Sequence, residues 1–376
     1  RLNATMADEK LLSLAFRILG IVGLSPFKQN TFAKIRAGVG GAMCFCLCVL
    51  TLIEFPRQTD GVRAFRYMVE PTVGSYQSII KALSLVVAQK RLLSLAAKVG
   101  KFKNVTQADH KLRSEGIHKR IGKLIRLYIM SFCTTGAGAF ILALWAQDRV
   151  LPCPVYYFES WRGSPEYEIA VFLELLWYCC VILTIAGWDI MFYSFATYIY
   201  CELEAVKHEF RNMKAEDLEN GLEATVRHHQ MVLSCIPDLN SLCSVVFLNQ
   251  CLSLAVAICA PMFMLAAETW SISLLLQELS MLVAVSGQLF CACLAGSLLT
   301  DQSESLATEV FHASSFWLGA PIGVQKQIVV IMQRSQKRES LSLGGFGELN
   351  LHVFTQMIKL SLSFLNAIVA LKTGTR

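Results

Sequence analysis

The feature that most constrains this chain is a series of seven apolar runs, at residues 37–53, 71–89, 127–147, 169–201, 239–267, 269–300 and 349–371. A helix needs about 20 mostly apolar residues to cross about 30 Å of hydrocarbon. The expected fold is therefore an all-α membrane protein with seven transmembrane helices. Composition agrees: 16% of residues are charged and mean hydropathy is +0.48, whereas soluble domains carry about a quarter charged residues.

Charge orients the chain. Outside the spans, 25 Lys and Arg fall on the side of the N-terminus and 7 on the other. Basic loops stay cytoplasmic, so the N-terminus is expected inside and, after seven crossings, the C-terminus outside. The net charge of +6 then belongs to basic loops and implies no nucleic-acid partner. Asp148-Arg149-Val150 follows the third run like the D-R-Y triplet of G-protein-coupled receptors, but this orientation puts it outside the cell. The sequons at Asn3 and Asn104 fall inside and are expected to be bare.

The organisation expected is a cytoplasmic N-terminal segment 1–36, helices one to four over 37–200, a cytoplasmic helical extension 201–238, and helices five and six over 239–300. Anchor helices over 301–347 and a last helix with a short outer tail over 348–376 complete it. Residues 11–24 read as a short re-entrant or interfacial helix with Leu11, Leu14, Ile18 and Val22 on one face, since Arg17 interrupts any signal-peptide core. Leu203, Val206, Phe210 and Met213 make an apolar stripe beyond the fourth span, and Ile328, Ile331 and Met332 a second one over 322–338. Gly344-Gly345-Phe346-Gly347 provides a sharp turn before the last span.

No chemistry of an enzyme is evident: there is no H-E-x-x-H, phosphate-cradling loop or G-x-S-x-G. Catalytic residues, metal ligands and cofactors are not expected. Most of the fourteen cysteines lie within apolar runs as small packing residues. His228 and His229 are adjacent, point different ways on a helix and are expected to be solvated. Lys81, Glu174, Asp189, Glu278 and Lys359 fall within runs, where charge is costly and signals a pair or polar path. Lys81 could pair with Glu174, while Asp189 and Lys359 are expected where long helices have already left the bilayer. Thr134, Thr135, Gly136, Gly138 and Ala139 leave little side-chain volume in the third span. Either they pack closely against neighbours or they leave a cavity walled by Tyr76, Ile80, Phe172, Leu176 and Cys179, suited to a small neutral apolar ligand.

In the last run Leu360, Phe364, Ala367 and Leu371 repeat at helical spacing among Ser363, Asn366 and Thr373. One such helix cannot enclose a pore, but several subunits giving one each could. The C-terminal third resembles the insect odorant receptor family: Thr300-Asp301-Gln302-Ser303-Glu304-Ser305, His312 to Trp317, and Gly344-Gly345-Phe346 followed by Leu349, Phe354, Ile358, Ser361 and Ser363 occur in that family's order. Gly187-Trp188-Asp189 is similar to its fourth helix. The resemblance implies an odorant-binding subunit of a heterotetrameric non-selective cation channel in the plasma membrane of an olfactory sensory neuron. The implied partners are a co-receptor subunit, a small neutral volatile odorant, membrane lipid and permeating cations. The short 202–238 segment resembles the variable subunit and not the co-receptor. The resemblance implies a pocket at Tyr76, Ile80, Thr135, Gly138, Leu142, Leu176, Cys179, Leu289 and Ala292, and a gate and pore wall at Ala367, Ala370 and Leu371. The alternatives are a metabotropic seven-helix receptor, a gustatory-type receptor channel and a transporter.

Overall fold

The computed structural model describes residues 10–27, 30–54, 61–102, 108–145, 149, 151–153, 155, 163–213, 218–267, 272–313 and 318–374. Among them the chain is nearly all helix: α1 (Lys10–Ile21), α2 (Thr31–Glu54), α3 (Gly61–Val87), α4 (Gln89–Phe102), α5 (Ala108–Trp145), α6 (Glu166–Arg211), α7 (Leu218–Leu233), α8 (Cys235–Ala267), α9 (Ile272–His312), α10 (Ile322–Gln336) and α11 (Leu351–Gly374). The stretches Thr31–Glu54, Lys119–Trp145, Glu166–Arg211, Gly221–Ile258 and Leu279–His312 are long and apolar enough to cross a bilayer. The helices α3 and α11, of 27 and 24 residues, match the remaining two apolar runs. The seven expected runs thus fall on α2, α3, α5, α6, α8, α9 and α11.

Side-chain caps start two of the spans. Asn30 accepts the Ala33 amide at 2.9 Å and Asn350 accepts that of Val353 at 3.0 Å, satisfying N–H groups that the first turn leaves open. The turn before α11 uses left-handed backbone at Gly344 and Gly345 (φ +60° and +86°). Leu343 N donates to Gly347 O and Leu349 N to Leu341 O, closing a small hairpin. A side chain at Gly344 would also run into Leu248, so only glycine meets both demands.

The central element is α6. Its 46 residues extend about 69 Å at 1.5 Å per residue, more than twice the hydrocarbon thickness, and it touches α1–α5 and α7–α9. Its lower half is sequestered: Trp188, Met191, Phe192, Phe195, Ile199, Leu203, Val206 and Phe210 are buried. Trp188 stacks on Phe192, and both meet the edge of Phe247 from α8, arrangements that aromatic quadrupoles favour. The stripe expected beyond the fourth span therefore packs into a helical layer with α7, α9 and α10. Arg211 and Glu309 tie α6 to α9 there at 2.5 Å.

Three expectations need correction. The basic stretch counted from Lys90 to Arg126 would be expected as a loop, but its residues 90–102 and 108–126 are helical, in α4 and the lower half of α5. Its dense charges obscure an amphipathic pattern whose buried face is Leu92, Leu95, Ala96, Val99 and Phe102. The short helix expected over 11–24 is present as α1, but its buried face is Leu12, Ala15, Phe16 and Leu19, with Leu14 exposed. The reason is a close approach: Leu19 lies where a Cβ on Gly187 would sit, so α1 seats on α6 at that glycine. Finally, His228 and His229 are buried. The ring of His228 bridges Glu202 at 2.9 Å and Glu209 at 3.1 Å on α6. Burial opposes its charge, but the two carboxylates outweigh that and hold its pKa up at about 9. His229 has no such partner; burial, then Arg334 and His228, push it down to about 4.

Candidate ligand-binding site

In the half of the bundle away from α7 and α10, the helices α3, α5, α6 and α9 part around a cavity of about 100 Å³. Phe132 and Phe140 from α5, Trp177 and Tyr178 from α6, and Met281 and Val285 from α9 give its wall its large side chains. An apolar cavity of about 150 Å³ takes up benzene, so side-chain movement of modest size admits a small ring here.

Two of the wall residues are held by hydrogen bonds. Tyr178 donates its hydroxyl to the Phe132 carbonyl at 2.6 Å, and the Trp177 indole donates to Ser75 Oγ at 2.9 Å. Tyr178 can reach across only because residue 136 is glycine: a Cβ there would lie within 2.1 Å of three of its ring and hydroxyl atoms. Gly136 thus serves both purposes left open by the sequence, close approach to a neighbour and a place in the cavity wall. Gln77, buried on α3, contributes the one amide in the lining. Pro152 and Cys153 cover the cavity, and the Cys153 amide donates to Glu174 Oε2 at 2.9 Å. The carboxylate therefore pins the connecting segment across the cavity mouth.

A polar layer forms the floor. Lys81 Nζ meets Asp189 Oδ1 at 2.5 Å and lies 5.0 Å from the Trp188 ring centre, and Gln288 donates to Asp189 Oδ2 at 2.7 Å. Trp188 donates to Ser84 at 2.9 Å, and Tyr193 to the Gln288 carbonyl at 3.1 Å. Lys81 thus pairs with Asp189, not Glu174, and Asp189 is buried in protein instead of lying in water beyond the bilayer. A carboxylate and an ammonium held together cost far less in an apolar interior than either alone. Among the other intramembrane charges, Lys359 is exposed and the side chain of Glu278 lies outside the described residues.

The expected pocket residues sit on the same four helices, mostly on other faces. Tyr76 is exposed beside the lining residue Gln77, and Ile80 lies half-buried against the core. Leu176 and Cys179 are exposed on either side of Trp177 and Tyr178. A Cβ at Gly138 would meet no atom within 4 Å. Leu289 and Ala292 are fully buried, about two turns below Met281 and Val285. The side chains of Thr135, Leu142 and Leu371 lie outside the described residues. Ala367 and Ala370 are exposed on α11. The signal that could have found the lining is the pairing of Gly136 with a large polar aromatic, Tyr178, on a neighbouring span.

A sequence profile of the 7tm odorant receptor family matches residues 63–362. Odorant receptor 30a of Drosophila melanogaster is 20% identical over 253 residues, which cover 65% of this chain and 66% of that receptor. Odorant receptor Or2 of Anopheles gambiae is 20% identical over 272 residues, 64% of this chain and 70% of its own. The chain thus spans just under two thirds of the first relative's length. The structure of the insect olfactory receptor OR5 from Machilis hrabei in complex with eugenol superposes with a TM-score of 0.82 at 18% identity, covering 96% of this chain and 98% of that one. A second structure of the same receptor gives 0.83 at 19% identity, over 97% and 98%.

Proposed function

The chain belongs to the 7tm odorant receptor family, and we propose that it is the odorant-binding subunit of a heteromeric ligand-gated cation channel in the plasma membrane. It is a multi-pass membrane protein of a receptor family, and nothing in its reading calls for enzyme chemistry. The observation that carries the proposal is the aromatic-walled cavity between α3, α5, α6 and α9 in a fold matching a receptor solved with eugenol. With one amide and no charge in its lining, this cavity suits a small, neutral, volatile molecule. The charge asymmetry supports a cytoplasmic N-terminus and, with it, a cavity in the outer half of the membrane.

Two exposed surfaces favour a channel over a metabotropic receptor. The helix α11 packs on α8 and α9 and leaves Leu360, Ala367 and Ala370 exposed on one side, a face that copies in neighbouring subunits would complete as a pore. Leu318, Ile322, Val330 and Phe346 are exposed in the cytoplasmic layer, where water would otherwise meet a sizeable apolar patch. The partner is taken to be the family's co-receptor in a heterotetramer with permeating cations. An odorant with higher affinity for the open state shifts the equilibrium towards it. Of the expected pocket residues, Leu289 adjoins Gln288 of the cavity floor; Ala367, Ala370 and Leu371 fit the pore wall and gate.

The test is whole-cell current under a volatile panel, with the chain expressed alone and with the co-receptor while G-protein signalling is blocked. Rapid current in co-expressing cells alone supports the proposal. Current that disappears with the block refutes the channel reading.

A further inference from the structure

Below the polar layer the same three helices α5, α6 and α9 part again, around a second cavity of about 220 Å³. Along α6 the order is Ile182 and Ile185 in the first cavity, Asp189 in the layer, then Tyr193 and Thr197 in the second. Along α9 it is Met281 and Val285, Gln288, then Cys291 and Leu298. The second cavity is the larger of the two and exceeds the size that holds benzene.

Its position identifies what it would take. Leu124 of α5 and Leu298 of α9 both line it and are exposed, so it opens sideways at a helix seam within membrane-spanning stretches. At the basic end of these stretches the surrounding medium passes from acyl chain to headgroup. Arg120 lines the end nearer the basic side, and Lys119, Lys123 and Arg126 are exposed on the same turns of α5. Among the described residues none of these four meets a carboxylate. An apolar chamber with a lateral opening and cations at one end matches a lipid in two parts: a chain for the chamber and an anion for the rim. Basic pockets between membrane helices on the cytoplasmic side take anionic headgroups in this way, and long basic side chains at helix ends reach the headgroup level.

We propose that this cavity is a lipid site that seats one acyl chain of an anionic phospholipid, with its headgroup phosphate on Arg120. The occupant lies against Tyr193, whose hydroxyl holds the Gln288 carbonyl in the layer above. The site does not depend on what binds in the first cavity.

The test uses the full chain with its partner subunits, reconstituted in phosphatidylcholine nanodiscs doped with phosphatidylserine. Lipid retained after detergent washing is measured by mass spectrometry. The native chain is expected to keep phosphatidylserine in preference to phosphatidylcholine. Ala295→Phe, which fills the cavity while leaving every basic residue in place, should abolish that retention. Arg120→Gln, on the exposed rim and harmless to packing, should lower it about fivefold, the worth of one basic contact. If Ala295→Phe does not assemble, Arg120→Gln alone decides. Equal retention in Arg120→Gln and the native chain overturns the proposal, as does recovery of phosphatidylcholine or a free fatty acid alone. Loss of lipid with odorant currents preserved, or the reverse, separates this site from the odorant reading.

Discussion

The two halves of α6 follow opposite packing rules. Below Thr184 nearly every residue to Thr197 is buried, and the helix is clamped by aromatic stacking, an ion pair and the His228 bridge. Above it, Phe172, Leu173, Leu175 and Leu176 are exposed, and Trp177 and Tyr178 edge a space left unfilled. The contrast teaches that the upper emptiness is local and built, whereas the lower half of α6 is buried on nearly every side and leaves space only toward α5 and α9, around the second cavity. A cavity lowers stability because its lining loses contacts, and it survives because the packed half below fixes the helices that frame it. The polar layer of Lys81, Asp189 and Gln288 marks the boundary.

The hardest way to break this division is through the layer. Lys81→Met leaves Asp189 buried without its cation, which costs about 3–5 kcal/mol. The variant should fail to assemble, or melt far below the native chain in thermal size-exclusion assays. Lys81→Met combined with Asp189→Leu should recover much of that loss. If the single variant is as stable as native, the layer is not the boundary described.

The cavity wall gives the next effect. Gly136→Leu forces Tyr178 out of its place, an overpacking of about 1–3 kcal/mol, and the half-maximal odorant concentration should rise roughly tenfold or more. Gly138→Leu, where a Cβ meets nothing, should shift it by less than about twofold. A reversed order would return the pocket to the face expected from sequence. Smaller again is Gln77→Leu. An ordinary hydrogen bond is worth about 0.5–1.5 kcal/mol net, so ligands bearing a hydroxyl should weaken by about threefold to tenfold in dose–response curves. Hydrocarbon ligands should be unaffected.

The smallest effect sharpens the packed half. His228 binds its proton more tightly folded, at about 9, than the ordinary value of 6.5. Its contribution is therefore complete below pH 6.5 and is lost as pH rises through 9. His229, at about 4, has the opposite sign: its burial as a neutral ring begins to cost stability as pH falls below 6.5. Hydrogen-exchange protection in α7, taken relative to the intrinsic rate at each pH, should be greatest near neutral pH and fall on either side, with the alkaline fall missing in His228→Gln.

Much of this was legible before any coordinates. Seven charge-poor runs locate the spans because the bilayer penalises every unpaired polar group, and Gly344-Gly345 announces its turn because only glycine is at ease at positive φ. The helices around the cavity were legible too, but not their rotation. One residue turns a helix by about 100°, so Tyr76 and Gln77, or Cys179 and Tyr178, look equally eligible until neighbours are placed. Long-range polar pairing was hidden for the same reason. Nothing local tells Lys81 whether Glu174 or Asp189 is its partner, nor tells His228 that two glutamates of α6 await it. In α4 the charges that signal a loop are the solvent face of a helix whose other face is core.

The central claim is that ligand sits in the unfilled upper half and the packed lower half frames it. An electron cryomicroscopy map of the channel with its best agonist from the volatile panel tests this most directly. The account predicts ligand density between α3, α5, α6 and α9, in contact with Trp177 and Tyr178 and above the Lys81–Asp189 pair. Density below that pair, or on the outer face beside Leu176 and Cys179 with the cavity empty, would contradict it.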